Sequence, residues 1–331
     1  MPQTRYAVIG SNCFTGSHIV DELLEDRTNF VIGFSRSPEK NPFFLPYKRH
    51  NSQNFRFIQN DLVRQSDQLI TLLDEVQPAY IINVAALSEV ALSNFQPVEY
   101  FETNTLGMVK LCNHLRTRKY LKRFVHISTA EVYGSCDHPL PETAPLNPSS
   151  PYAASKAAAD LYFSTLYKNF EFPVITTRFT NVYGRHQQLH KIIPRTIIHL
   201  KTGKKIELHG GGKAVKTWIH IRDVANAVVT CAQLGKPGEI YHFSDENSIS
   251  VADLVRKICR LMGKDFESST VAVPERLGQD AQYLLDYKKV ERELSWFPQV
   301  DFEQGLKETI SWLEENWNEV EKEPLVYVHQ A

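Results

Sequence analysis

Through the first half of the chain, short apolar runs alternate with longer stretches in which apolar residues recur every three or four positions. The runs RYAVIG, NFVIGF, NFRFIQ, AYIINVA, RFVHIS and PVITTRF have the length and composition of buried strands. Between them, segments such as SHIVDELLED and NTLGMVKLCNHLRT carry the period of amphipathic helices. Buried strands joined by helices predict an α/β fold, a Rossmann-type doubly wound parallel sheet. After Phe179 the alternation loosens. TNVYGRHQQLHKIIPRTII and GKKIELHGGGKAVKTW are less regular, a helix is expected from Arg222 to Gln233, and FEQGLKETISWLEEN is again amphipathic. These later segments predict a smaller C-terminal substrate-binding lobe over the carboxyl ends of the strands, where open α/β sheets bind ligands. We expect the main domain in 1–179 and 217–245 and the smaller lobe in 180–216 and 246–331.

Composition narrows the function classes. With 331 residues, 42% of them apolar, the chain is long enough for a large domain with a second lobe. A formal net charge of -1 leaves no basic footprint for nucleic acid or a membrane surface. Cysteines 13, 112, 136, 231 and 259 are scattered, with no CxxC pair. We therefore expect no metal site and no disulfide framework. MPQTRYAVIG runs directly into a strand, and no apolar run is long enough to span a bilayer. The expectation is a cytoplasmic protein.

The first candidate site is the turn Gly10-Ser-Asn-Cys-Phe-Thr-Gly16, between the first strand and a helical run. N–H groups at a helix start face an anion, so a strand, a glycine-bearing turn and a helix suit a dinucleotide pyrophosphate. We assign Gly10, Asn12, Cys13, Phe14, Thr15 and Gly16 to it. The second strand ends in Ser35-Arg36-Ser37, with no acid before Glu39. An acid there would hold the ribose hydroxyls of NAD, whereas an arginine accommodates a 2′-phosphate. The expected cofactor is NADP, with NAD as the alternative.

The second candidate site follows the strand RFVHIS. STAEVYG places Thr129 and Glu131 at the strand end, poorly located for packing and well located for chemistry. SPYAASKAAADLYF places Tyr152 and Lys156 four residues apart, on one face of one helix. An ammonium beside a phenol lowers its pKa and makes tyrosine a usable base.

Here the chain resembles the extended short-chain dehydrogenase/reductases, and within them the nucleotide-sugar 4,6-dehydratases. The likeness rests on GSNCFTGSH, NVAALSEVALSNFQPVEYFETNTLG, RFVHISTAEVYG, SPYAASKAAAD, RFTNVYGRHQQLHKIIPR, GGGKAVKTWIHIRDVANA and ERLGQDAQYLLDYKKVERELSWFPQVDFEQGLKETISW. The resemblance implies a nucleoside-diphosphate hexose as substrate and a tightly bound, recycled cofactor. Tyr152 would take the 4-hydroxyl proton, with Thr129 bonded to that hydroxyl and Lys156 supporting the phenolate. Glu131 would remove the C5 proton as the 6-hydroxyl leaves. It also implies cofactor contacts from Asp61, Leu62, Ala85, Ala86, Asn104, Ser128 and Phe179. Lys216, Arg276 and Asn181 would hold the substrate diphosphate, Ser88 and Lys191 the sugar, and His209 the base. A homodimer is the family habit.

Three departures from the pattern stand out. The dehydratases acting on dTDP-glucose usually have Asp before the Glu, where this chain has Ala130, so the usual general acid is absent. The TxE form is similar to GDP-mannose dehydratases and UDP-glucuronate decarboxylases. Cys13 replaces the middle glycine of GxxGxxG, and the segment usually reading RPGHDRRY reads RLGQDAQY from Arg276. The competing functions are a 4-epimerase, which has no need of Glu131, and a UDP-glucuronate decarboxylase.

Overall fold

The computed structural model describes residues 3–50, 53–275 and 280–327. The strands expected in the first half form at β1 Thr4–Ile9, β2 Asn29–Ser35, β3 Phe55–Gln59, β4 Tyr80–Asn83, β5 Arg123–Thr129 and β6 Val174–Phe179. The later strands are β7 Asn181–Tyr183, β8 Ile206–His209, β9 Val215–His220, β10 Ile240–Phe243, β11 Ser248–Ser250 and β12 Thr270–Val273. One seven-stranded sheet runs β3-β2-β1-β4-β5-β6-β10. Every pair in it is parallel. The direction of winding reverses between β1 and β4, which opens a crevice at the carboxyl ends of the strands.

Alternation along each strand builds a core on both faces. From β1, Tyr6 and Val8 enter a cluster with the helices Phe14–Glu25 and Ile221–Leu234, through Ile19, Leu23, Val224 and Val228. Ala7 and Ile9 enter the opposite cluster with the helices Ser66–Val76, Gly107–Leu115 and Pro151–Phe170, through Leu69, Leu111 and Phe163. Each large apolar side chain so enclosed contributes roughly 1.5–3 kcal/mol against leaving it in water.

The helix Pro151–Phe170, which carries Tyr152 and Lys156, starts cleanly. Ser150 is its N-cap, accepting from Ala153 N at 3.2 Å, and Pro151 fills the first helical position. The lobe has its own core, with Ile193, Ile197, Leu254, Ile258, Leu306 and Leu313 packed between three helices. In it, β9 pairs in parallel with β7 and antiparallel with β11, and β8 pairs with β12. The chain returns to the main layer with the helix Ile221–Leu234 and β10. Among the described residues no helix is long and apolar enough to cross a membrane.

Candidate active site

A cleft of about 720 Å³ lies along the carboxyl ends of the strands, between the main layer and the lobe. At one end is the turn after β1. Gly10 has φ +92°, and a Cβ there would lie 2.6 Å from Ala85 N. A Cβ on Gly16 would overlap the carbonyl of Gly10, so close backbone approach demands glycine at both positions. Cys13 is the N-cap of the helix that follows, its Sγ accepting from Gly16 N at 3.3 Å. Asn12 ties the turn to β2: its N–H donates to Ser35 Oγ at 2.9 Å and its Nδ2 to Ser37 Oγ at 3.0 Å. Asn12, Cys13, Phe14, Thr15, Ser35, Arg36 and Ser37 all line the cleft, as do Asp61, Leu62, Ala85, Ala86, Ser128 and Phe179. A helix start facing the cleft, with hydroxyls and a cation at the end of β2, fits a dinucleotide. Asn104 stands behind this wall. It accepts from Leu87 N at 2.9 Å and donates to Leu87 O and Ser155 Oγ, bracing the loop after β4.

Further along, the strand end, the short turn after it and the long helix bring four side chains together. Thr129 closes β5 and caps the turn Ala130–Tyr133, accepting from Glu131 N at 3.2 Å. Glu131, Tyr152 and Lys156 line the same stretch of cleft. Burial pushes the Glu131 carboxyl up to about 7, against the charge of Lys216; Asp280 adds to the rise and Lys191 opposes it. Burial brings the Lys156 ammonium down to about 8, with Asp160 opposing. The Tyr152 phenol is raised by burial and by the Glu131 charge, and a hydrogen bond with Thr129 works the other way. The spacing of Tyr152 and Lys156 led us to expect a phenol lowered by the ammonium. Lys156 instead directs its Nζ at Ile127 O, 2.8 Å away, and His126 Nε2, 3.2 Å away.

At the far end, Ser88, Asn181 and Lys191 line the cleft. Lys191 pairs with Glu89 at 2.5 Å, and His190 approaches the same carboxylate at 3.3 Å. Burial resists ionisation of Glu89, yet the hydrogen bond from His190 and the charge of Lys191 hold its carboxyl down to about 2. Lys216 donates to Asp280 O at 2.8 Å and lies 4.4 Å from the ring centre of Tyr283, whose hydroxyl donates to Asn181 Oδ1 at 2.9 Å. His209 ends β8 and contacts Pro274 O at 3.1 Å, off the cleft wall. Arg276 lies outside the described residues. Glu89, His190 and Tyr283 are cleft residues that sequence reasoning did not single out, although Glu89 directly follows Ser88. Tyr183 packs on His220 and Phe302 and donates to Phe302 O, away from the cleft, so it is no proton donor for the site. Among the described residues no group of three or more His, Cys, Asp or Glu side chains is arranged to hold a metal ion.

Comparison with known proteins agrees with this geometry. The family model described as GDP-mannose 4,6 dehydratase matches residues 8–309. The chain belongs to this dehydratase family. The human dTDP-D-glucose 4,6-dehydratase is 33% identical over 96% of this chain and 93% of its own length. The crystal structure of the Streptomyces venezuelae dTDP-glucose 4,6-dehydratase with NAD superposes with a TM-score of 0.89, at 33% identity, covering 95% of this chain and 98% of that one. The Bacillus anthracis dTDP-glucose 4,6-dehydratase in complex with NAD gives 0.87 at 31% identity, with 95% and 98% covered. The fold is thus that of the extended short-chain dehydrogenase/reductases, and the chain is a nucleotide-sugar 4,6-dehydratase.

Proposed function

We propose that this dehydratase acts on a nucleoside-diphosphate glucose of the dTDP-glucose type and releases the 4-keto-6-deoxy sugar. The observation that carries the reading is Glu131, a carboxyl pushed up to about 7 on the same cleft wall as Thr129, Tyr152 and Lys156. An epimerase has no use for such a base. The turn after β1 and the end of β2 would hold a nicotinamide dinucleotide, which would supply hydride acceptance from sugar C4 and hydride return to C6. Tyr152, ionised to the phenolate and supported by the Lys156 charge, takes the proton of the 4-hydroxyl, which Thr129 orients. The 4-keto group then acidifies C5–H, and Glu131 removes that proton as the 6-hydroxyl departs. Because position 130 is alanine, we assign to Glu131 the return of a proton to the departing oxygen as well, directly or through one water. Asn181 and Lys216 hold the diphosphate in this reading, and Ser88 and Lys191 the sugar. Incubation with dTDP-, UDP-, GDP- and CDP-sugars, read by mass, tests it. Loss of one water from a hexose supports it; unchanged mass means epimerase, and loss of carbon dioxide means decarboxylase.

The cofactor is a nicotinamide dinucleotide. The solved relatives carry NAD, and they lend no support to the NADP preference expected from Ser35 and Arg36. That preference rests on this chain alone, which has hydroxyls and a guanidinium at the end of β2 and no carboxylate to repel a 2′-phosphate. We also infer a homodimer. The helices over 97–115 and 151–170 expose Val98, Phe101, Leu106, Leu161 and Phe170 on one side of the main layer, an apolar area that a second copy would cover. Leu161→Glu should convert the dimer to a monomer in sedimentation, and an unaltered mass would exclude this face.

A further inference from the structure

His126 on β5 is completely enclosed, and none of the proton steps above employs it. Its ring is held on three sides. Lys156 Nζ lies 3.2 Å from Nε2, Asn83 Nδ2 lies 3.1 Å from Nδ1, and the Phe163 ring packs at 4.7 Å. Arg178 on β6 is the other charge that acts on it, and Asp160 acts in turn on Lys156. Burial, Lys156 and Arg178 all drive its pKa well down, so the imidazole is neutral. A neutral imidazole has one N–H and one acceptor nitrogen. An ammonium only donates, so Nε2 is the acceptor and the proton sits on Nδ1.

That proton needs an acceptor. With the amide as placed, Asn83 presents Nδ2, a second donor, while its Oδ1 is buried without a partner. Oxygen and nitrogen of an amide are assigned by their hydrogen bonds, and turning this amide over satisfies both groups at once. The chain Asn83 Oδ1, His126 Nδ1–H, His126 Nε2, Lys156 Nζ then has a donor and an acceptor at every link.

We infer that His126 is a positioning residue for Lys156: fixed as the Nδ1–H tautomer by Asn83, it takes one ammonium N–H through Nε2 and, with Ile127 O taking another, aims the third at the cleft. The inference rests on the reading of Tyr152 and Lys156 as the reacting pair. Two acceptors on β5 offset the burial of the ammonium, and removing one lets the charge be lost at lower pH. His126→Phe takes away the acceptor and keeps an aromatic ring against Phe163. His126→Gln keeps an acceptor oxygen.

The test is the pH dependence of dehydration by the holoenzyme. In His126→Phe the alkaline limb should move down by about one pH unit, so turnover falls about fivefold at pH 8 and approaches wild type as the pH is lowered. His126→Gln should restore the limb. An unmoved limb in His126→Phe, with Lys156→Met inactive, overturns the inference and leaves the pair intact. Full turnover by Lys156→Met overturns the pair itself. Should the phenylalanine variant fail to fold, the nitrogen-15 spectrum of histidine-labelled wild-type holoenzyme decides. An acceptor-type Nε2 with a protonated Nδ1 is expected for His126, and the reverse tautomer or an imidazolium overturns the inference.

Discussion

Glu131 must be ionised to take a proton from C5, and its carboxyl lies at about 7. Exchange of C5–H with solvent deuterium, followed in the first turnover, should therefore rise with pH and reach half its maximum near 7. At pH 6 only about one carboxyl in ten is ionised, so exchange should be about tenfold slower than on the plateau. The Lys156 ammonium is lost only nearer 8, so data below pH 7.5 isolate the carboxyl. Burial raises Glu131, and Lys216 is the largest charge holding it back. Lys216→Met removes that restraint and should move the limb upward. An opposite charge at close range is worth about one unit or more, so exchange at pH 7 should fall roughly fivefold or more. Glu131→Gln should lower exchange by about 10²–10⁴ while C4 oxidation still reduces the cofactor. A flat profile between pH 5.5 and 7.5, or a limb indifferent to Lys216→Met, would refute the assignment of the base.

Other consequences are as direct. Cofactor released by denaturing the purified protein should be NADP(H), with Arg36→Asp shifting it to NAD(H); NAD(H) alone in the wild type sinks the preference. Cys13→Gly frees Gly16 N–H from the sulfur at the loss of only a few tenths of a kcal/mol of capping. It should hold cofactor at least as tightly as the wild type, and a collapse of turnover with cofactor still bound would mean the thiol has a chemical part. Lys191→Met should leave water loss coupled to C5 exchange. If exchange persists while water loss stops, the acid is separate and Glu131 does not serve both ends.

The fold was legible because β1, β2, β4, β5 and β6 are largely buried on both faces, and a strand without a polar face announces itself as an apolar run; β3, at the sheet edge, is only partly buried. Later strands such as β7, β8 and β11 are three or four residues long and partly exposed, too short to carry a period. In the site, Thr129, Glu131, Tyr152 and Lys156 were legible because two local motifs carry them. What the motifs conceal is direction. A spacing of four puts Tyr152 and Lys156 on one helix face, but it is β5, through Ile127 O and His126 Nε2, that takes two of the ammonium's N–H groups. Glu89, His190 and Lys191 meet across about one hundred residues, and no local pattern marks such an encounter. Ala130 shows why the missing acid has no simple replacement. Its side chain is wholly buried with Val132, Tyr133 and Tyr283, so a carboxylate there would have to leave an apolar cluster for the cleft. The turn that presents Glu131 is held by that same cluster. A chain that packs position 130 this tightly gains a fixed base and gives up a second carboxylate, which is why one group is left to serve both ends of the elimination.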